Sequence, residues 1–168
     1  MKKVLIAAGA VSALALTSTP ALAATPTTQA TATARIVVPL TLTSVRDLDL
    51  GTIVLSGTAP YTDTIGITRA GAFTCGANTT CSGTTKTARY TMTGTRDQRV
   101  TVTVSPTIAL VNQTQTSGDL TLTVDAPATS LLDATGNGAF NLGGSIQVSD
   151  TTVDGVYTGT FDVTADYQ

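Results

Sequence analysis

The stretch Ala30-Thr31-Ala32-Thr33-Ala34-Arg35-Ile36-Val37-Val38-Pro39-Leu40-Thr41-Leu42 decides the fold class. Taking every second residue puts Ala30, Ala32, Ala34, Ile36, Val38, Leu40 and Leu42 on one side. Thr31, Thr33, Arg35, Val37, Pro39 and Thr41 fall on the other. Side chains alternate faces along a strand, so one edge is apolar and the other mostly polar. The run is longer than an ordinary strand and would span about 40 Å if fully extended. It therefore divides in the expectation: Ile36 to Thr43 opens the folded domain, and residues 24–35 form an extension in front of it. That extension keeps a strand's pattern where a small domain has no room for it.

Working outward to the N-terminus, residues 1–23 read as a secretory signal. Lys2 and Lys3 form a charged region, Val4 to Leu16 an apolar run, and Ala21-Leu22-Ala23 a small-x-small cleavage site. The apolar run is short for a membrane span. No later segment has the length and apolarity to cross a bilayer, so the expectation is an exported chain without a transmembrane segment after cleavage. Its location would be the periplasm, the cell surface or an extracellular filament.

After removal of the signal, seven Lys and Arg remain against eleven Asp, with no Glu, His or Trp. This mildly acidic balance offers nothing to attract nucleic acid. Thr makes up about a fifth of the chain, and Leu, Val and Ile supply most apolar positions. β-branched side chains suit a pleated, half-buried surface. Strand patterns recur with turn residues between them. They are Leu48 to Val54, Thr64 to Thr68, Ala72 to Cys75, Ala88 to Thr93, the Val100/Val102/Val104 and Leu120/Leu122/Val124 alternations, and Ile146/Val148 after a Gly143-Gly144 turn. The last is the cleanest, with Tyr157, Gly159, Phe161, Val163, Ala165 and Tyr167 on one face after a turn at Gly155. No helical period is sustained after the signal. The predicted fold is all-β, an immunoglobulin-like or pilin-like antiparallel sandwich over residues 36–168.

Cys75 and Cys81 flank a five-residue loop. In an oxidising compartment they are expected to form a disulfide, a local staple on a hairpin end. With no His to complete a ligand set, a metal site is not expected at these thiols, and no cofactor is expected. Asp133 to Gly138 spaces oxygen ligands like a calcium loop but lacks the bidentate Glu, and reads as a Gly/Asn turn. Asp47 and Asp49 share one side of a strand start, which reads as a solvated edge rather than an acid–base pair. Asn78-Thr79-Thr80 and Asn112-Gln113-Thr114 match the N-glycosylation pattern and read as exposed turns. Without His no Ser-His-Asp arrangement can form, and the chain is expected to be non-enzymatic.

The Ala-Thr-Ala-Thr-Ala run, Arg35 to Leu40, Asp47 to Val54 and Gly155 to Tyr167 together resemble the bacterial family called domain of unknown function 4402. That family has no established activity; the resemblance implies a β fold and an envelope location. A second resemblance is to chaperone–usher pilus subunits, including the spore-coat-U-like branch. It is carried by the alternating N-terminal extension, by Gly155 and by the penultimate Tyr167. It implies assembly by strand addition, a homo-polymer, and a periplasmic chaperone and usher as partners. Ala30, Ala32, Ala34 and Ile36 would be the inserting residues. The terminal strand with Gly155, Tyr157, Phe161, Val163 and Tyr167 would close the subunit. The function expected is thus a fimbrial or coat-like structural subunit. The alternative is a monomeric surface or periplasmic binding or adhesion module, with glycans as one ligand class, that uses loops at one sandwich end. Exposed aromatics would favour it, and Tyr61, Phe73 and Phe140 fall outside the clear strands. For the N-terminal stretch itself, a strand paired within its own domain after a Thr/Ala leader remains the plain reading beside the donor strand.

Overall fold

The computed structural model describes residues 26–168. The expected signal segment and the first residues of the expected extension lie outside them. The chain divides into two units between Arg35 and Ile36. In the first, residues 26–35 are exposed and carry no strand.

The second unit, residues 36–168, is all β, and every strand pairing in it is antiparallel. Its strands are β1 (Thr41–Arg46), β2 (Thr52–Leu55), β3 (Thr62–Ile67), β4 (Phe73–Thr74), β5 (Thr79–Ser82), β6 (Ala88–Thr93) and β7 (Arg99–Val104). They continue with β8 (Thr107–Asn112), β9 (Leu120–Asp125), β10 (Thr129–Leu131), β11 (Asn137–Ser149), β12 (Tyr157–Thr158) and β13 (Val163–Tyr167). The large sheet runs β1-β6-β11-β9-β8-β12, with β3 on β11 and β4 on β3. A three-stranded sheet, β10-β7-β13, and a two-stranded sheet, β2-β5, stand apart from it.

The core explains this layering. Ala88 and Met92 of β6, with Phe140 and Leu142 of β11, bury against Val100 and Val102 of β7 and Leu132. One end of the large sheet is therefore covered by the β7 sheet. At the other end Ile65, Ile108, Leu122, Ile146 and Val148 form a second cluster, on which Ile53 of β2 and Cys81 of β5 pack. Leu48 and Phe161, both outside the strands, touch both clusters. Tyr90 stacks on Phe140 with ring centroids 5.4 Å apart.

Several expectations are corrected. Gly143-Gly144 is no turn: both residues lie inside the 13-residue strand β11, whose buried Phe140, Leu142, Ile146 and Val148 keep one parity throughout. The glycines are needed for close approach. A Cβ on Gly143 would collide with the Ile67 carbonyl and lie 2.5 Å from Arg69 N, and one on Gly144 would lie 2.9 Å from the Leu122 side chain. The long terminal strand is two strands, because β12 pairs with β8 and β13 with β7, in different sheets. Leu48 to Val54 shortens to β2, since Gly51 takes a positive φ of 75° and only Asp49 makes a bridge, to Lys86. The first strand begins at Thr41 and not at Ile36.

The Cys75–Cys81 disulfide is present, with Cα atoms 6.0 Å apart. It does not staple a hairpin. β4 pairs with β3 in the large sheet and β5 with β2 in the small one, so the bond ties two sheets together. Buried Asp63 of β3 holds the loop between them, accepting from Asn78 N at 2.6 Å and Asn78 Nδ2 at 3.1 Å.

Candidate functional site

The two ends of the second unit meet. Val38 precedes Pro39, which has no N–H to donate to a ladder and biases its predecessor toward extended backbone. Val38 finds side-chain partners instead. Its N–H donates to Thr95 Oγ1 at 2.7 Å, and its carbonyl accepts from the Tyr167 hydroxyl at 2.7 Å. The same hydroxyl accepts from Thr95 N at 2.7 Å. Three residues from the first segment, the β6–β7 turn and the last strand thus form one closed knot. This is the physical reason why β1 starts late: the polar groups of Val38 are satisfied without a neighbouring strand.

Each part of the knot is supported. Gly94 leaves room for the phenol, since a Cβ there would collide with the Tyr167 hydroxyl and lie 3.1 Å from both Leu40 and Leu132. The turn is propped by the Asp133–Gly136 loop through Gly94 N to the Gly136 carbonyl (2.9 Å) and Asp97 N to the Asp133 carbonyl (3.1 Å). That loop is the turn expected. Asp133 Oδ1 accepts from Thr135 N, Thr135 Oγ1 and Asn137 N at 2.8, 2.7 and 2.9 Å. Donation by the Thr135 hydroxyl, then by backbone N–H groups, holds the Asp133 carboxyl below the usual carboxylate range.

From the knot, β1 runs along one edge of the large sheet and β13 along one edge of the three-stranded sheet. Each is paired on one side only. Their inward side chains, Leu42 from β1 with Val163, Ala165 and Tyr167 from β13, pack on the first core cluster together with Leu40 yet stay half-buried. The site therefore presents free main-chain donors and acceptors flanking an apolar strip, the chemistry of strand pairing. Among the described residues no group of three or more His, Cys, Asp or Glu is placed to hold a metal. Asp49 is occupied locally, its Oδ1 accepting from Gly51 N at 2.8 Å.

A family described as "Domain of unknown function (DUF4402)" matches residues 40–167. The chain belongs to this family. No curated protein and no solved structure matches it. The DUF4402 match begins at Leu40, two residues after Val38, and ends at Tyr167.

The residues singled out in the sequence scatter over this frame. Ala30, Ala32 and Ala34 are exposed and in no strand, and Ile36 is 92% exposed. Val163 and Tyr167 lie on the β13 edge, whereas Phe161 sits at the seam between the two core clusters. Gly155 and Tyr157 belong elsewhere, beside the end of β8. A Cβ on Gly155 would collide with Asn112, and the Tyr157 hydroxyl donates to the Val153 carbonyl. Asn112 is 4% exposed, so its glycosylation-type sequence is not an exposed turn. Its Oδ1 accepts from Thr114 N and Gln115 N at 2.9 and 3.0 Å, and its Nδ2 donates to the Asp154 carbonyl at 3.1 Å. Sequence reasoning read Val38 as an inward strand residue and Asn112 as part of an exposed turn, and it missed Gly94 and Thr95. The proline after Val38 was a usable signal; nothing local marks Thr95 as its partner.

Proposed function

We propose that this DUF4402 chain is an exported, non-enzymatic structural subunit of a fimbrial or coat-like surface assembly, joined to its neighbours by N-terminal strand addition. The observation that carries the reading is a mismatch of pattern and structure. Residues 30–35 alternate like a strand and form none, while the second unit keeps two one-sided edges, β1 and β13, with apolar side chains half-buried along them. Main-chain hydrogen bonds from an added strand would complete those edges, and alanines suit a shallow strip. A head-to-tail contact of this kind generates a filament when it does not close. The disulfide fits an oxidising compartment outside the cytosol. A chaperone and an usher are the partner classes such a pathway requires, since an unpaired edge must be shielded before assembly.

The test compares the chain with a version lacking residues 24–35, both exported in the native host and run on gels with and without boiling. A heat-sensitive ladder that vanishes on truncation supports strand-exchange polymers. Monomers in both cases, with equal thermal stability, remove the mechanism.

A second reading, a monomeric binding module, draws on one specific feature. An open cleft on the face of the large sheet is lined by Thr64, Thr68, Thr74, Thr123, Asp125 and Ser145. It lies on a sheet face and not in end loops, and two of the aromatics counted for this reading are structural: Phe140 is buried and Phe73 packs on the second cluster. Retention of the chain on a neutral polysaccharide matrix, lost on Thr123→Val, would favour this reading over the first.

A further inference from the structure

The donor segment has a register problem. Ala30, Ala32 and Ala34 are identical and separated by Thr31 and Thr33, so a slip of two residues leaves every alanine inward and every threonine outward. Ile36 is the large residue that could mark the register. It stands two residues before Val38, whose N–H and carbonyl are both engaged within its own domain. Ile36 is thus tethered too closely to its own domain to serve as a deep anchor in another copy. What remains to insert is a repeat that does not specify its own position.

We propose that the Tyr167–Val38–Thr95 knot of the accepting copy sets that position, acting as a stop at one end of the β1/β13 edge. This rests on the strand-addition reading. The knot lies where β1 begins and β13 ends, with Leu40, Leu132 and the Tyr167 hydroxyl filling the space over Gly94. An added strand can advance along the apolar strip until it meets this closed end and can go no further. Because the hydroxyl is held from both sides, by one accepted and one donated bond, the stop is rigid; removing the oxygen opens it. Tyr167 is a positioning residue in this account, and the main-chain edges do the binding.

Single cysteines at Gln29, Thr31 or Thr33 in the extension, each combined with Thr164→Cys on the outward face of β13, read the register as inter-copy disulfide yield under mild oxidation of the full chain. In the native background one of the three is expected in about tenfold excess, the ratio that one hydrogen-bond-sized preference gives. With Tyr167→Phe added, two or more positions should link in comparable yield. Equal yields in the native background, or a single preferred position that survives Tyr167→Phe, overturn the proposal while leaving strand addition intact. No inter-copy link at any position in either background removes strand addition and the stop with it. Should Tyr167→Phe lose its fold by circular dichroism, Thr95→Ala deletes the acceptor of the Val38 N–H and so loosens the residue whose carbonyl the hydroxyl holds, and the excess at the preferred position should fall.

Discussion

A phenol hydroxyl that accepts one main-chain N–H and donates to one carbonyl joins residues 38, 95 and 167 of this chain. Tyr167→Phe keeps the ring's packing and removes both bonds, leaving the half-buried Thr95 N–H without its partner. The expected loss is about 1–2 kcal/mol, a fall of about 5 °C in the thermal midpoint for a domain of this size. Amide exchange should accelerate at Thr95, and a midpoint and exchange profile equal to the native chain's would show that the knot does not hold. Asn112 has more to lose. Asn112→Ala strips two N–H groups and one carbonyl of their partner inside a buried site, and about 2–3 kcal/mol should disappear from the unfolding free energy in urea. The Asp133 loop responds to pH. Its carboxyl has a folded-state pKa below its unfolded value, so its contribution is complete above the unfolded pKa and is lost as pH falls through the folded one. Exchange of the Thr135 and Asn137 amides, followed from neutral pH downward and corrected for intrinsic rates, should stay protected through the ordinary carboxylate range and rise only below it. Asp133→Asn should abolish that acid step.

Among the elements, the disulfide gives the sharpest prediction. It closes a short loop, and the chain-entropy model assigns such a loop about 2 kcal/mol. Cys75→Ser with Cys81→Ser should lower stability by about that amount. Because the bond ties β4 to β5, the loss should appear as faster amide exchange in the β2–β5 sheet before the β6–β11–β7 core is affected; uniform acceleration would mean the bond acts only on the unfolded chain. The strands also show what was legible. Ala88 to Thr93 emerges with the observed boundaries because it lies wholly in one sheet with one buried face, so its period-two pattern is unbroken. β11 was hidden because its two glycines resemble a turn, although Gly143 answers to the Ile67–Arg69 backbone crossing over it and Gly144 to the Leu122 side chain, contacts far away in sequence. The terminal alternation was real in parity but silent about partners. Residues of one parity can change sheets between Gly159 and Asp162 without altering the pattern. β5, spanning the second cysteine, and β10, three residues long, are too short for periodicity to register. The candidate site was half legible. The extension's alternation and Tyr167 were visible, whereas Thr95 is joined to them only by the fold.

For the whole molecule, the unpaired alternation of residues 30–35 and the two one-sided edges point the same way. The domain is folded and packed, yet β1 and β13 are each paired on one side only. The central claim is that residues 24–35 of another copy fill such an edge. The most direct measurement takes the chain lacking residues 24–35, adds a synthetic peptide of residues 24–35, and follows the thermal midpoint. Binding to the folded state alone stabilises by about 2.7 kcal/mol at a hundredfold excess over Kd, so millimolar peptide should raise the midpoint by several degrees. The same peptide with Ala30, Ala32 and Ala34 changed to Asp should leave it where it was. A midpoint unmoved by the native peptide, or moved equally by the aspartate peptide, would contradict the account.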